Sequence, residues 1–374
     1  MSTIYLDYAA TSLKHFDILK NTINELENIY ANPSSNHTLG KKNNKLLNNA
    51  RKYISQTINA KDSEIIFTSG GTEANNMIFN HILNSYESGE IIISNIEHSS
   101  IIECANKLED KGFKIIKLEV NKDGVISLNH LKKVITENTV LVSIMLANNE
   151  TGVIQPIDKI ADIVKQHNIL LHSDIVQAFG KINIDVKKLN LDFASVSAHK
   201  IGATNNFGFL YAKDSKITPL IIGGGQENNL RSGTSDVLGA VMLEKCLHRT
   251  LNSQKTLEDM KNYFITCLKN HKVSFEINGS NIHSLPNILN IYFKNIEAQR
   301  LITFLDANNI FISGGSACSS GSFKGSRIIA SMYNDERAEK SVRISIGYYT
   351  TKEMIDITVN KIKELENRIL MRGK

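Results

Sequence analysis

From about residue 60 onward, short β-branched runs alternate with longer segments whose apolar positions recur at helical spacing, the signature of βαβ units around a largely parallel sheet. Residues 65–68, 91–94, 114–118, 140–146, 169–172, 193–196 and 207–211 read as strands, and 157–167 reads as one of the helices between them. An α/β layer with about seven strands in one sheet is therefore predicted. Beyond the glycine cluster at 223–225 the pattern changes. A long polar helical stretch, roughly 236–271, leads into shorter strands at 273–277, 288–292 and 342–346 mixed with helices. A boundary between two units is expected inside that stretch. No segment repeats at a fixed period, so solenoids and propellers are dropped.

A length of 374 residues fits two domains of ordinary size. With 41% hydrophobic and 22% charged residues and only 4 prolines, the composition is globular, and wholesale disorder and collagen are excluded. Lys plus Arg number 43 against 38 for Asp plus Glu, a net of +5 spread along the chain. Lys41, Lys42 and Lys45 read as a solvated helix face, and nothing calls for direct contact with nucleic acid. Cys104, Cys246, Cys267 and Cys318 are scattered without a C-x-x-C pair, so neither a zinc site nor a disulfide framework is suggested, and no structural metal is expected. A reducing compartment fits best. The first 30 residues carry Asp7, His15, Asp17, Glu25 and Glu27 in place of a basic start and an apolar core, and no apolar run approaches the about 18 residues of a membrane span. A cytoplasmic protein without membrane contact is expected.

Three places bear candidate chemistry. Thr68-Ser69-Gly70-Gly71-Thr72-Glu73-Ala74-Asn75 follows a strand and opens a helix, and its glycines let backbone N–H groups approach an anion at the helix's positive end. It lacks G-x-G-x-x-G and the lysine of a Walker loop, so a phosphate is favoured over a dinucleotide or nucleoside triphosphate. Asp174 closes the strand Leu171-His172-Ser173-Asp174, with Gln177 three residues later, and strand carboxyl ends form the ligand crevice of an open α/β sheet. At the next strand's exit, Ser195-Val196-Ser197-Ala198-His199-Lys200 places a lysine 26 residues after Asp174. Each signal is weak alone: glycine turns precede many helices, an aspartate can cap the next helix, and most lysines are surface groups. Together they are the parts for pyridoxal 5′-phosphate, namely a Schiff-base lysine, a partner for the pyridinium nitrogen and a phosphate cup. His98, just beyond another strand, could stack on the ring and shuttle protons.

Cys318 lies in Ser313-Gly314-Gly315-Ser316-Ala317-Cys318-Ser319-Ser320-Gly321-Ser322, a stretch too rich in Gly and Ser for a core element. A thiolate on such an arm can reach into a site, react and swing out with its product. The other three cysteines, each in a helical pattern, read as small buried hydrophobes. Arg343, at the start of Arg343-Ile344-Ser345-Ile346-Gly347, has the two-pronged fork that grips a carboxylate.

These segments, with Tyr5-Leu6-Asp7-Tyr8-Ala9-Ala10-Thr11, Asn32-Pro33-Ser34-Ser35, Asn148-Asn149-Glu150-Thr151-Gly152 and Arg231-Ser232-Gly233-Thr234, occur in one order nearly end to end. In that series the chain resembles the cysteine desulfurases of the NifS/IscS type, within the class V aminotransferases. The resemblance implies the pyridoxal-phosphate-dependent transferase fold of the aspartate aminotransferase kind. It implies a large domain over 13–255 with a mostly parallel seven-stranded sheet, and a smaller α+β domain from 1–12 and 256–374 carrying the cysteine loop.

By the same resemblance Lys200 would bind the cofactor, with Asp174 at the pyridine nitrogen, Gln177 and Asn149 near the ring hydroxyl, and His98 on the ring face. Gly71, Thr72, Ser197 and His199 would hold the phosphate, and Thr234 would reach it from the other subunit of a homodimer. Asn32 and Arg343 would receive the carboxylate of L-cysteine. Cys318 would take the sulfur as a persulfide, give L-alanine as co-product, and pass the sulfur to an acceptor or scaffold protein, as in iron–sulfur cluster assembly or thiolation. The only metal contact implied is a transient iron–sulfur one at Cys318. The 25 residues from Cys318 to Arg343 match the long-loop NifS/IscS group. Two stretches depart from the family pattern. Ile201-Gly202-Ala203-Thr204-Asn205-Asn206 stands where a tyrosine and Gly-Pro-Lys-Gly are usual, and Ser322-Phe323-Lys324-Gly325-Ser326 replaces a leucine, glutamate and proline. Two other functions share the fold: a selenocysteine lyase, whose cleavage would survive Cys318→Ala, and a catalytically idle paralogue that only binds partners.

Overall fold

The computed structural model describes residues 3–27, 30–315 and 325–372. Its strands in chain order are β1 (Ile4–Tyr5), β2 (Ile65–Thr68), β3 (Glu90–Ser94), β4 (Lys114–Leu118), β5 (Thr139–Ser143), β6 (Leu170–Asp174), β7 (Phe193–Ser197), β8 (Gly208–Ala212), β9 (Phe275–Ile277), β10 (Ile288–Phe293), β11 (Ile310–Phe311) and β12 (Ser341–Ser345). One seven-stranded sheet runs in the order β2-β8-β7-β6-β5-β3-β4. Its neighbours are parallel except at β8, which is antiparallel to both β2 and β7. The predicted mostly parallel α/β sheet is thus present.

The sheet separates two hydrophobic layers because successive side chains point to opposite faces. Ile91, Ile93 and Leu141 join one cluster with Met77, Ile78, Phe79, Ile101 and Leu108 from the helices Gly71–Ser85 and Ser99–Glu109. Ile92 and Val142 join the other, which includes Ile160 and Val164 of the helix Ile157–Lys165. Strand β3 is buried throughout, as a central parallel strand must be, and its isoleucines satisfy both faces. Strand β4, at the edge, exposes Lys114, a charge that discourages pairing with another chain.

The predicted helical stretch 236–271 is two helices, Val237–Leu251 and Gln254–Asn270. At the break, Asn252 Nδ2 donates to the His248 carbonyl and Ser253 Oγ to that of Arg249, local bonds that compete with helix continuation. The first of these helices is less polar than its stretch suggested: Val241, Met242, Leu243, Cys246 and Leu247 are buried in it. Beyond the break, Leu257, Phe264 and Leu268 pack with Leu289, Ile291, Val342, Ile344, Val359 and Ile362 in a third cluster that also takes Ile4 and Leu6. There β12-β10-β9 form an antiparallel sheet and β1 pairs with β11 in parallel. Ile328, Ile329 and Met332, although late in the chain, pack instead with the layer under the large sheet. Among the described residues no helix is long and apolar enough to cross a membrane.

Candidate active site

Beyond β3 the chain crosses outward to β4, whereas β5, on the other side of β3, leads on to β6 and β7. Where crossovers diverge in this way the carboxyl ends of the strands open a crevice. A cavity of about 1160 Å³ lies there, lined among others by His98, Asn149, Asp174, Gln177, Lys200 and Arg343. Segments from both ends of the chain complete it, including Asp7, Ala9 and Thr11 on one side and Ser313, Gly315 and Ile328 on the other.

Lys200 sits in a short 3-10 turn, Ala198–Ile201, that ends at Gly202 with φ +81°. A Cβ at Gly202 would lie 2.8 Å from His15, so only glycine fits there. The Lys200 amine donates to the carbonyls of Ala9 at 2.8 Å and Ala10 at 2.7 Å. Burial, reinforced by Arg343, pushes it down to about 8, against the pull of Asp174 and Asp7. Such an amine is available as a nucleophile near neutral pH.

Asp174 is buried at the end of β6 and accepts from Asn75 Nδ2 at 3.2 Å and from the Val176 amide at 3.0 Å. Asn75 also donates to Ser100 Oγ at 2.9 Å, and Ser100 Oγ bonds His98 Nδ1 at 2.8 Å. His98 Nδ1 accepts from the Ser100 amide as well, which leaves Nε2 as the ring nitrogen free to donate. Asn75 therefore links Asp174 to His98, a role the sequence reading missed, although the residue stood within the glycine-turn motif. Glu97 was missed too. It lines the cavity wall fully buried, its Oε1 accepting from Ser94 Oγ at 2.5 Å and the Met145 amide at 2.9 Å, and burial pushes it up to about 8.

The helix Gly71–Ser85 starts at Gly70, whose φ of +141° favours glycine. A Cβ there would lie 3.5 Å from Ser197 Oγ, so the turn and β7's end face each other. Gly71, Thr72, Ser197 and His199 line this end of the cavity. His199 Nδ1 lies 3.0 Å from Thr11 Oγ1, and burial with Lys200 beside it holds the ring near 4, hence neutral. Gln177 donates to the Ala9 carbonyl at 2.9 Å. At the altered 201–206 stretch, Lys14 Nζ bonds Asn205 Oδ1 at 3.0 Å and brings a basic group to the cavity rim.

Three expected residues stand apart. Asn32 is exposed, its Oδ1 accepting from the Ser34 amide, and it is not among the cavity-lining residues. Thr234 lines a separate cavity of about 130 Å³ that shares Ser69 and Asn206 with the large one. Cys318 lies outside the described residues, as do 322–324 of the altered loop. Described residues on both sides of that segment are at the cavity: Gly315 lines it, as does Arg327, which donates to the carbonyls of Asn95 and, at 3.0 Å, Glu97. Cys104, Cys246 and Cys267 are free and buried, as small hydrophobes would be.

The donor set fits pyridoxal phosphate. A helix N-terminus with two glycines and Ser197 suits the phosphate, a downshifted amine suits the aldehyde, and a buried carboxylate suits the pyridinium nitrogen. Asn149 Oδ1 and Arg343 Nε are buried without a hydrogen-bond partner among the described residues, which leaves polar atoms for a bound group to satisfy.

Comparison with known proteins places this geometry in context. The aminotransferase class-V family profile matches residues 4–357. The chain is 39% identical over 380 aligned positions to the putative cysteine desulfurase IscS 1 of Bacillus subtilis (strain 168), covering 99% of this chain and all of the relative. A solved NifS-like protein superposes with a TM-score of 0.90 at 34% identity, over 98% of this chain and all of that one. The structure of SspA in complex with cysteine superposes with a TM-score of 0.83 at 32% identity, over 93% of this chain and all of that one.

Proposed function

Since the chain belongs to the class-V aminotransferase family, we infer from its site that it works as a cysteine desulfurase does, taking sulfur from L-cysteine and releasing L-alanine. It is a pyridoxal-phosphate-dependent enzyme of the cysteine desulfurase group. The observation that carries this reading is the Lys200 amine, pushed down to about 8 and anchored on the Ala9 and Ala10 carbonyls in a cavity that also holds Asp174 and the Gly70-Gly71 turn.

When bound, pyridoxal phosphate supplies an electron sink for the pair left at the substrate's α-carbon. Lys200 would hold it covalently, Gly71, Thr72, Ser197 and His199 would hold its phosphate, and Asp174 would keep a proton on its ring nitrogen. Gln177 and Asn149 would meet its ring hydroxyl. The Lys200 amine, when free, would take the α-proton of bound L-cysteine, a transfer its lowered pKa suits. His98, oriented through Ser100 and Asn75, donates from Nε2. Arg343, in the cavity wall, would receive the substrate carboxylate, and Asn32, which does not line the cavity, would have to move to join it. The Cys318 thiolate then attacks the substrate sulfur: a Cys318 S–S bond forms, the substrate C–S bond breaks, its electron pair stays on carbon, and a proton completes L-alanine.

We place the persulfide on Cys318 for delivery to an acceptor protein and the active unit as a cytoplasmic homodimer. Thr234 does not line the main cavity of its own chain, which supports its acting at the site of the other subunit. The test is alanine and sulfide production from L-cysteine with a reductant, comparing the native chain with Lys200→Ala and Cys318→Ala. Loss of activity in both, with the yellow colour altered only for Lys200→Ala, is expected. A native protein that stays colourless and inactive with added cofactor overturns the reading.

A further inference from the structure

Lys181 is not among the residues lining the cavity, yet it is 4% exposed and bonded to one that is. Its Nζ lies 3.2 Å from Gln177 Oε1. Gln177 Nε2 donates to the Ala9 carbonyl at 2.9 Å, and the same carbonyl accepts from Lys200 Nζ at 2.8 Å. Lys181, Gln177, Ala9 and Lys200 thus form one hydrogen-bonded chain ending at the amine.

The two ends of a glutamine amide have nearly the same shape and opposite hydrogen-bonding character, so the partners decide which way it faces. Nζ can donate in either charge state, and as an ammonium it can do nothing else. With the amide reversed, its NH₂ would face the ammonium and its oxygen would face the Ala9 carbonyl, both unfavourable. The observed orientation spends one N–H of Nε2 on Ala9 and leaves the second for an acceptor on the cavity side. A lysine is a costly residue to bury here, first because it is desolvated and then because the charges of Lys200 and Arg343 repel it, and its own charge is felt at His199. A methionine would pack in similar volume without that cost.

We infer that Lys181 is a positioning residue: from behind the cavity wall it holds the Gln177 amide with its N–H groups toward the cavity and so presents a fixed donor to the bound cofactor's ring oxygen. This rests on the proposed function, which puts pyridoxal phosphate beside Gln177.

The experiment uses cofactor-loaded protein and reads the dissociation constant for pyridoxal phosphate together with the position of the visible absorption band. Lys181→Met should weaken retention about tenfold and shift the band, whereas Lys181→Gln, which keeps a donor, should stay within about twofold of native. In a Gln177→Ala background, Lys181→Met should add less than about twofold, because the residue it acts through is gone. A tenfold effect that persists in that background, or a methionine variant with native band and affinity, overturns the inference. If the methionine variant does not fold, Lys181→Gln decides: native band and affinity support the inference, and a tenfold loss overturns it. Failure of the native protein to take up pyridoxal phosphate would instead overturn the functional reading from which the inference starts.

Discussion

Arg343 Nη2 lies 2.6 Å from Asp7 Oδ1, an ion pair between opposite ends of the chain in which the arginine side chain is 5% exposed. Nη1 donates to the Asn149 carbonyl at 2.9 Å, and Nε is buried without a partner among the described residues. The guanidinium is therefore held in the cavity wall by two contacts, while its Nε–H has no partner among the described residues.

A carboxylate arriving at this fork would meet a preset, planar donor array, and a lysine would present a point charge in its place. Arg343→Lys should raise KM for L-cysteine about tenfold or more and change kcat less, since the lost contact acts on bound substrate before and during the chemistry alike. Steady-state kinetics, with circular dichroism to confirm the fold, checks this.

The lowered Lys200 value predicts a pH profile. Only the neutral amine attacks an aldehyde, so covalent capture of pyridoxal phosphate by cofactor-stripped protein should speed up with pH until about 8 and then level off. An ordinary lysine would keep gaining about tenfold per pH unit to beyond pH 10. Stopped-flow absorbance between pH 6.5 and 9.5, values chosen about the lysine's titration range, separates the two, and a rate still climbing steeply at the upper end counts against the assignment.

Glu97 predicts a stability profile of definite sign. Its carboxyl ionises near 4.5 ordinarily and near 8 here, chiefly because it is buried, so between those values unfolding releases a proton and rising pH favours the unfolded chain. The contribution is fully present below about 4.5 and lost as pH rises through about 8. Glu97→Gln cannot ionise, so it should melt close to native at pH 4.5 and be the more stable by up to about 4 kcal/mol at pH 8. A native–variant difference that does not change with pH would contradict the buried protonated carboxyl.

Gly347 closes the segment that begins at Arg343. A Cβ there would sit 1.9 Å from the ring of buried Tyr8, which directly precedes Ala9 and Ala10, whose carbonyls hold Lys200. Gly347→Ala should cost about 1–3 kcal/mol of stability through overpacking and also slow cofactor capture. Thermal melts and the capture assay read the two effects; a variant destabilised but native in capture would show that Tyr8 can yield without moving Lys200.

The sequence carried the local facts well. Hydrophobic runs marked the strands because burial on a sheet has a short period, and the bounds of β2 and β4 follow the runs residue for residue. The predicted run 140–146 is shortened in β5 to Thr139–Ser143, although Ile144 and Leu146 still donate to the carbonyls of His172 and Asp174 beside them. Asp174 and Lys200 were legible because each ends or follows a strand, where an α/β sheet opens its crevice. The break at Asn252 was not, since side chains bonding back to the preceding turn leave helical periodicity intact on both sides.

What the sequence by itself determined is therefore the type and order of the elements and the chemistry at their ends, all properties of neighbours within a turn or a strand. Only the tertiary structure decided that β8 lies antiparallel between β2 and β7, that Ala9 and Ala10 anchor an amine about 190 residues away, and that Asp7 pairs with Arg343 across 336. The same holds for Asn75, Glu97 and Lys181, whose roles depend on partners from other elements. Burial and charge pairing act through space, and the free energy that places a side chain is set by whatever the packed chain brings beside it.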